Sequence, residues 1–333
     1  MKPSSKGLDL LSIGDSTTDV FLQISDASVV CQLNKEDCLL CIEYADKIPV
    51  EHFTEILGVG NAANNAIGAS RLGLKTALWT ILGTDAAGDR TLKEVFRPEG
   101  VETRYIERDK KHGTNFSTVI NFQKERTILV YHQPRTYRMP KPLPAQWTYL
   151  TSMGEGWEKI VPALKQYVTS SKTKLVFNPG THQLRSPAST LDTVLSLTHV
   201  LVVNKDEARR ITGMEQGEFT ELIAALHRRG PRIVIVTDGP EGATASDGRE
   251  TWFMPTVPAP VIERTGAGDS FATAVLAALF YGHDLPEALR WGAANSSSVI
   301  QFIGAREGLL TKSAIEKLLR KHRGVMAKKI SAT

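Results

Sequence analysis

In the last quarter of the chain, Thr265-Gly266-Ala267-Gly268-Asp269-Ser270-Phe271 runs straight into an apolar stretch, 272–280, closed by Gly282. Gly266 and Gly268 leave backbone N–H groups unobstructed, and a helix N-terminus adds partial positive charge. Together they make a cradle for an anion whose charge grows during a reaction. An Asp that merely caps a helix after a glycine-rich turn has the same local sequence, so the loop gains meaning only from its company.

Two other glycine loops look like nucleotide motifs and fail on inspection. Residues 83–89 have the glycine spacing of a P-loop, but Asp89 stands where a phosphate-binding Lys belongs, and a carboxylate there repels phosphate. Gly58-Val59-Gly60-Asn61-Ala62-Ala63 matches a relaxed dinucleotide pattern, yet it does not follow the first strand of the fold. Further polar candidates are Asp15, Asp19, Asn64, Asn178, Asn204, Glu207, and Thr237 with Gly239. Taken singly, Asn64 is a helix cap, Glu207 an exposed helix residue and Asp19 a turn residue.

These residues need elements to bring them together. Six short apolar runs, 8–13, 76–82, 147–150, 175–178, 200–203 and 233–237, read as buried parallel strands. Helical patterns follow them at 64–72, 86–96, 157–168, 187–197, 205–212 and 270–280. The alternation predicts an α/β fold with a doubly wound, mainly parallel sheet flanked by helices, whose ligands sit beyond the carboxyl ends of the strands. Residues 19–48 and 105–132 break the alternation with period-two patterns, and predict insertions forming a small β-sheet lid on a single domain spanning 1–333. Residues 123–126 form a polar turn inside the second insertion, and 140–144, alternating Pro with Lys and Leu, make a rigid connection back.

The chain has 333 residues, 41% of them hydrophobic and 23% charged, with 40 Lys+Arg against 36 Asp+Glu. That is the composition of a globular protein with a sizeable core, and excludes disorder and collagen-like repeats. The weak net charge of +4 gathers in a C-terminal group, Lys317 to Lys329, read as a solvated helix end and frayed tail. No aromatic residues interleave with it, so nucleic acid is not the expected partner. No secretory h-region opens the chain and no apolar run approaches membrane-spanning length. Cys38 and Cys41 point to opposite faces of a strand read over 37–45 and cannot share a metal. With Cys31 they predict reduced thiols in a cytoplasmic protein.

In this order and spacing the motifs resemble the ribokinase-like (PfkB) family of carbohydrate and nucleoside kinases, over roughly residues 8–316. Gly60, Asn64, Ala66, Arg71, Leu72 and Gly73 are similar to the family's first signature. Residues 265–269 are similar to its second, whose last Asp is the catalytic base. The segment Gly14 to Asp19 resembles the one whose Asp binds substrate hydroxyls. Asn204-Lys205-Asp206-Glu207 resembles an N-x-x-E motif tied to Mg²⁺ and phosphate placement. Residues 237–242 resemble the T-x-G-x-x-G nucleotide loop, and Asn295 falls in the helix flanking the adenine. The departures are Val59 for a glycine, and Glu263 and Arg264 for an Asp–Thr pair. That Asp lies near a monovalent-cation site, so Glu263 leaves potassium activation in question, while Arg264 either contacts phosphates or faces solvent.

The resemblance implies transfer of the γ-phosphoryl group of ATP, with Mg²⁺, to an alcohol of a sugar or sugar derivative. Asp269 is then the base, and Gly266, Ala267 and Gly268 the anion hole. Asp19, Gly60 and Asn64 hold substrate hydroxyls, and Asn204, Thr237, Gly239, Gly242 and Asn295 the nucleotide. Glu207 acts on Mg²⁺ through water, and Glu263 on a monovalent cation such as K⁺. A helix N-terminus is expected to lower the Asp269 pKa. A nucleoside acceptor is the alternative, to be decided by lid side chains such as Asn115, Phe116, Asn121 and His132; a weakly catalytic sugar-binding regulator is a further one. Lids of this kind predict a homodimer.

Overall fold

The computed structural model describes residues 7–31, 38–123, 125–141 and 144–330. Residue 37 of the strand read over 37–45, Lys124 of the polar turn, and Pro142 and Leu143 of the connection lie outside them. The main sheet has nine strands. Six are parallel, in the order Thr76–Trp79, Leu8–Ile13, Ala145–Leu150, Lys174–Phe177, Thr198–Asn204, Ile233–Thr237. Ala243–Ser246, Thr251–Met254 and Lys328–Ile330 extend it antiparallel.

Each of the six predicted strands is present. Leu8–Ile13 shows why they read as continuous apolar runs: all six of its residues are buried, because helices cover both faces. Leu11 and Ile13 pack with Trp157 and Leu164 on one side, and Leu10 with Phe271 and Val275 on the other. Burying each such side chain is worth about 1.5–3 kcal/mol. Asp9 survives in this strand because it accepts hydrogen bonds from the Lys75 N–H (2.8 Å) and Gln146 Nε2 (3.1 Å).

Several expectations change. The run 76–82 breaks at Thr80: Thr76–Trp79 stays in the main sheet while Ile81–Gly83 pairs with Glu107–Asp109. The charged C-terminus is not a frayed tail, since Lys328–Ile330 closes the sheet edge and Lys329 pairs with Glu250 at 2.7 Å. The lid is a four-stranded sheet in the order Glu125–Tyr131, Asn115–Phe122, Thr17–Ile24, Val50–Val59, so its last strand comes from beyond the predicted 19–48 segment. Residues in 19–48 instead form a hairpin, Ser28–Cys31 with Cys38–Cys41.

The cysteine expectation is also corrected. Cys31 and Cys38 face each other across that hairpin and form a disulfide, leaving Cys41 free. The Cys38–Cys41 spacing drew attention to the wrong pair, because partners in a hairpin are set by cross-strand register. Among the described residues no helix is long and apolar enough to cross a membrane.

Candidate active site

The helix Ala267–Phe280 is apolar almost all round and its residues 270–278 are buried, which fixes its N-terminus at the carboxyl end of the sheet. Gly266 caps it with φ +78°, and a Cβ there would lie 2.4 Å from Ala305 Cβ, so only glycine fits. Ser270 N–H donates to Gly266 C=O at 2.9 Å and Ala267 N–H to Arg264 C=O at 3.3 Å. The Gly268 and Asp269 N–H groups, in the first turn, find no acceptor in the helix, and both residues line the cleft. The Ala267 N–H is thus engaged, which leaves the Gly268 and Asp269 N–H groups as the free donors of this turn among the described residues.

The helix Asn61–Arg71 packs against this one through Gly68, where an added Cβ would touch Thr273 at 3.0 Å, and through Asn65 Nδ2, which donates to Thr273 Oγ1 at 3.0 Å. That close approach puts Asn64 Nδ2 2.8 Å from Asp269 Oδ2. Asn64 is no cap; Gly60 fills that position. It is 4% exposed, and its Oδ1 has no partner among the described residues, an unused acceptor beside the carboxylate. The Asp269 pKa is not lowered. Burial pushes it up to about 6, opposed by the single Asn64 hydrogen bond.

A cavity of about 400 Å³ opens on this pair, lined among others by Asp15, Asp19, Gly60, Ser117, Arg126 and His132. Gly60 has φ +101°, and a Cβ there would come within 2.9 Å of Asp15 C=O. Asp19 sits on the lid strand opposite Ser117, which hydrogen-bonds it, but burial and nearby Glu263 raise its pKa to about 6. Along the lid strand Glu125–Tyr131, exposed throughout, every second residue, Arg126, Ile128 and Val130, lines the cavity, with His132 following the same period.

A second cavity, also about 400 Å³, lies on the other side of Gly268, which lines both. Its walls include Thr237, Gly239 and Gly242, with Ala243, Met254, Val257, Phe271, Ser296 and Ile300. Gly242 has φ +107° and lets Met254 C=O approach to within 2.3 Å of where a Cβ would sit. Asn295 does not line it. Fully buried, it donates to Ser270 C=O (2.8 Å) and accepts from Leu310 N–H (3.0 Å), so it ties two segments together, and neighbouring Ser296 and Ser297 face the cavity instead.

Asn204 and Glu207 form a reciprocal capping box on the helix Lys205–Thr212: Asn204 Oδ1 accepts from Glu207 N–H (2.8 Å), and Glu207 Oε2 from Asn204 N–H (2.9 Å). Burial raises the Glu207 pKa, and the Asp269 charge is among the groups that add to it, which places the two carboxylates near each other. Glu263 is bound on all sides. Its Oε1 accepts from Thr265 N–H at 2.9 Å, from Thr265 Oγ1 and from the Arg126 guanidinium, and its Oε2 accepts from Gly304 N–H at 3.0 Å. Arg264 lines the second cavity. Asp89 pairs with Arg108 at 2.7 Å and Asp85 caps its helix, so 83–89 is a structural loop, as its carboxylate implied.

Arg126, Ser117, Ala305 and Tyr137 escaped the sequence reading. None belongs to a motif: Ser117 and Arg126 reach the cleft on lid strands, Ala305 lies against Gly266, and Tyr137, outside the lining, donates to Asp15. The alternating pattern at 126–132 was the one signal that could have found the inward set.

Residues 23–312 match the pfkB family of carbohydrate kinases. Among curated relatives, a 5-dehydro-2-deoxygluconokinase of Shouchella clausii is 27% identical over 287 residues, 80% of this chain and 87% of that protein. A ribokinase of Haemophilus influenzae is 27% identical over 263 residues, 76% of this chain and 84% of its own. The fold is similar to that of an Arabidopsis thaliana ribokinase complexed with ribose and ATP, at TM-score 0.77 and 20% identity, covering 94% of this chain and 99% of that one. With its two signature segments meeting at one cleft, the chain belongs to the pfkB family of carbohydrate kinases.

Proposed function

We propose that this protein transfers the γ-phosphoryl group of ATP to a primary hydroxyl of a sugar. One observation carries the reading: two cavities of equal size share Gly268, with Asp269 opening into one of them. A nucleotide in the apolar cavity brings its γ-phosphate to the free Gly268 and Asp269 N–H groups. Those groups stabilise the charge that spreads over the phosphoryl oxygens. Asp19, Gly60 and the free Asn64 Oδ1 hold neighbouring hydroxyls and choose which oxygen attacks. That oxygen bonds to phosphorus as the bond to ADP breaks, and its proton passes to Asp269. A carboxyl near pKa 6 is a stronger base than an ordinary one and still ionised at neutral pH.

The donor set suits Mg²⁺ held mainly by phosphates and water. Glu207 keeps Oε1 outside its capping box, and the described residues contain no cluster of three or more metal-ligating side chains. When bound, the ion neutralises phosphate charge. Glu263 does not suit a monovalent cation, because Arg126 already supplies its positive charge. Thr237, Gly239 and Gly242 shape the nucleotide cavity. Phe116 packs against Tyr131 at the lid surface, and the acceptor cavity has no Phe, Tyr or Trp among its described lining residues, which favours a sugar over a nucleoside base.

The outer lid exposes Phe53, Phe116, Leu129 and Tyr131, which supports pairing of two copies through the lid; a solution mass of one chain would remove that reading. Acceptor-dependent ADP release from ATP–Mg²⁺ tests the function. Release with a sugar supports it. Bound ATP with no release from any acceptor favours the sugar-binding regulator.

A further inference from the structure

Two adjacent residues of the helix Asn61–Arg71 reach the same residue of its neighbour by different routes. Asn64 Nδ2 donates to the Asp269 carboxylate at 2.8 Å. Asn65 Nδ2 donates to Thr273 Oγ1 at 3.0 Å, and that hydroxyl donates to the Asp269 C=O at 2.7 Å. Side chain and backbone of Asp269 are therefore both tied to the helix that Gly60 caps and that carries the unused Asn64 Oδ1.

The second route is costly. Asn65 and Thr273 are fully buried, and Asn65 Oδ1 has no partner among the described residues. An apolar residue would fill the same place without that penalty. Both helices are rich in small buried residues, Ala66, Gly68 and Ala69 on one, Ala272, Ala274 and Ala277 on the other. Small side chains make shallow ridges, so packing alone sets the offset of two such helices weakly. One buried polar pair admits a single register. Neither Asn65 nor Thr273 lines the acceptor or the nucleotide cavity.

We propose that Asn65 and Thr273 are positioning residues: their hydrogen bond sets the register of the two helices and so holds Asn64 against Asp269. Gly60 and Asn64 hold the acceptor on one helix, and Asp269 takes its proton on the other, so the register fixes the distance between binding and base. A misplacement of about 1 Å there is enough to cost about 10²-fold in rate. The role of Asp269 rests on the kinase reading, but the register does not, and it is read without substrate.

NMR titration of the full chain carrying isotope-labelled aspartate provides the test, with the Asp269 carboxyl signal identified by its loss in Asp269→Asn. Thr273→Val keeps the shape and removes the hydroxyl. With the register relaxed, the Asn64 bond that favours the charged form weakens, and Asp269 should become a weaker acid by about threefold or more. Asn65→Leu, close in shape, should do the same, while Thr273→Ser, which keeps the hydroxyl, should match the wild type. In an Asn64→Ala background Thr273→Val should change nothing further, because the bond it acts through is gone. Glu207 and Tyr149, titratable groups that feel the Asp269 charge, are untouched in all these variants. Unchanged acidity in folded Thr273→Val and Asn65→Leu overturns the proposal. So does an equal shift with Asn64 absent, which would make the hydroxyl a direct influence on Asp269 rather than a register device. Should Thr273→Val not fold, Asn65→Leu, alone and with Asn64→Ala, decides. The expected shifts in a wild type that releases no ADP with any acceptor would sink the kinase reading and leave the register standing.

Discussion

Ala243, Met254, Val257 and Phe271 wall the cavity on one side of Gly268; Asp15, Asp19, Asn64 and Asp269 wall the cavity on the other. The volumes are the same and the sources of binding energy are opposite. The first gains from removing flat apolar surface from water, which is tolerant of small displacements. The second gains from directed hydrogen bonds to partly buried carboxylates, which fail when a donor is missing or misplaced. On the proposed function, the difference assigns tolerance to the nucleotide side and discrimination to the acceptor side.

The largest test of that division is Asp269→Asn. Loss of the base should lower kcat by about 10²–10⁴ with nucleotide affinity retained, measured by ADP release beside ATP binding. Stability should move the other way. The folded protein holds the Asp269 proton to about pH 6, above the unfolded value near 3.8. Between these the native state binds more protons, so stability falls as pH rises, and the whole cost stands above pH 6. Removing the charge is therefore worth about 1–2 kcal/mol at pH 7–8 once water access to the cleft is discounted, seen as a raised Tm that disappears below pH 4. In the wild type, kcat/KM for the acceptor should drop on the acid side with an apparent pKa near 6, where Asp19 also titrates. A flat profile from pH 5 to 8 would refute the base assignment.

Two smaller changes separate the cavities. Asp19→Ala should raise the acceptor KM by about 10–100-fold, since it removes a charged hydrogen-bond acceptor, and leave the KM for ATP within about twofold. Arg264→Ala, on the rim of the nucleotide cavity, should raise the KM for ATP by about 3–10-fold and spare the acceptor. Equal effects of either variant on both substrates would mean that the cavities do not bind independently.

How much of this was legible follows the same boundary. The strands 8–13 and 233–237 and the helix 205–212 were readable to the residue, because a sheet covered on both faces leaves apolar runs and the capping box of Asn204 and Glu207 marks a helix start. The glycine turn before the helix 267–280 was readable because glycine is forced at 266. The lid was legible only as alternation. Its strand Val50–Val59 begins with exposed residues, which carry no burial signal, and its hairpin register, hence the Cys31–Cys38 pair, depends on non-local contacts. Asn295 was misplaced for a related reason, since a motif fixes a helix but not which of its faces meets the cavity. The direction of the Asp269 shift was misjudged because its burial is a tertiary property that no local sequence pattern carries.

The smallest effect concerns the contact that joins lid to loop. Arg126 leaves the lid strand to meet Glu263, and Glu263 in turn holds Thr265 and Gly304, on either side of the Gly266–Ala305 contact. The pair is partly buried, with 12% of the Glu263 side chain exposed, so it is worth more than a surface ion pair. Lid position and loop geometry are thereby coupled without the lid touching the nucleotide cavity. Arg126→Ala should raise the acceptor KM and lower kcat by about 3–10-fold, with the KM for ATP unchanged. It also exposes an unmatched carboxylate, which an added cation can satisfy. Potassium should therefore restore part of the lost rate in Arg126→Ala while leaving the wild type indifferent. Potassium activation of the wild type would show instead that a cation and Arg126 act at separate places, and that Glu263 serves only to hold the loop.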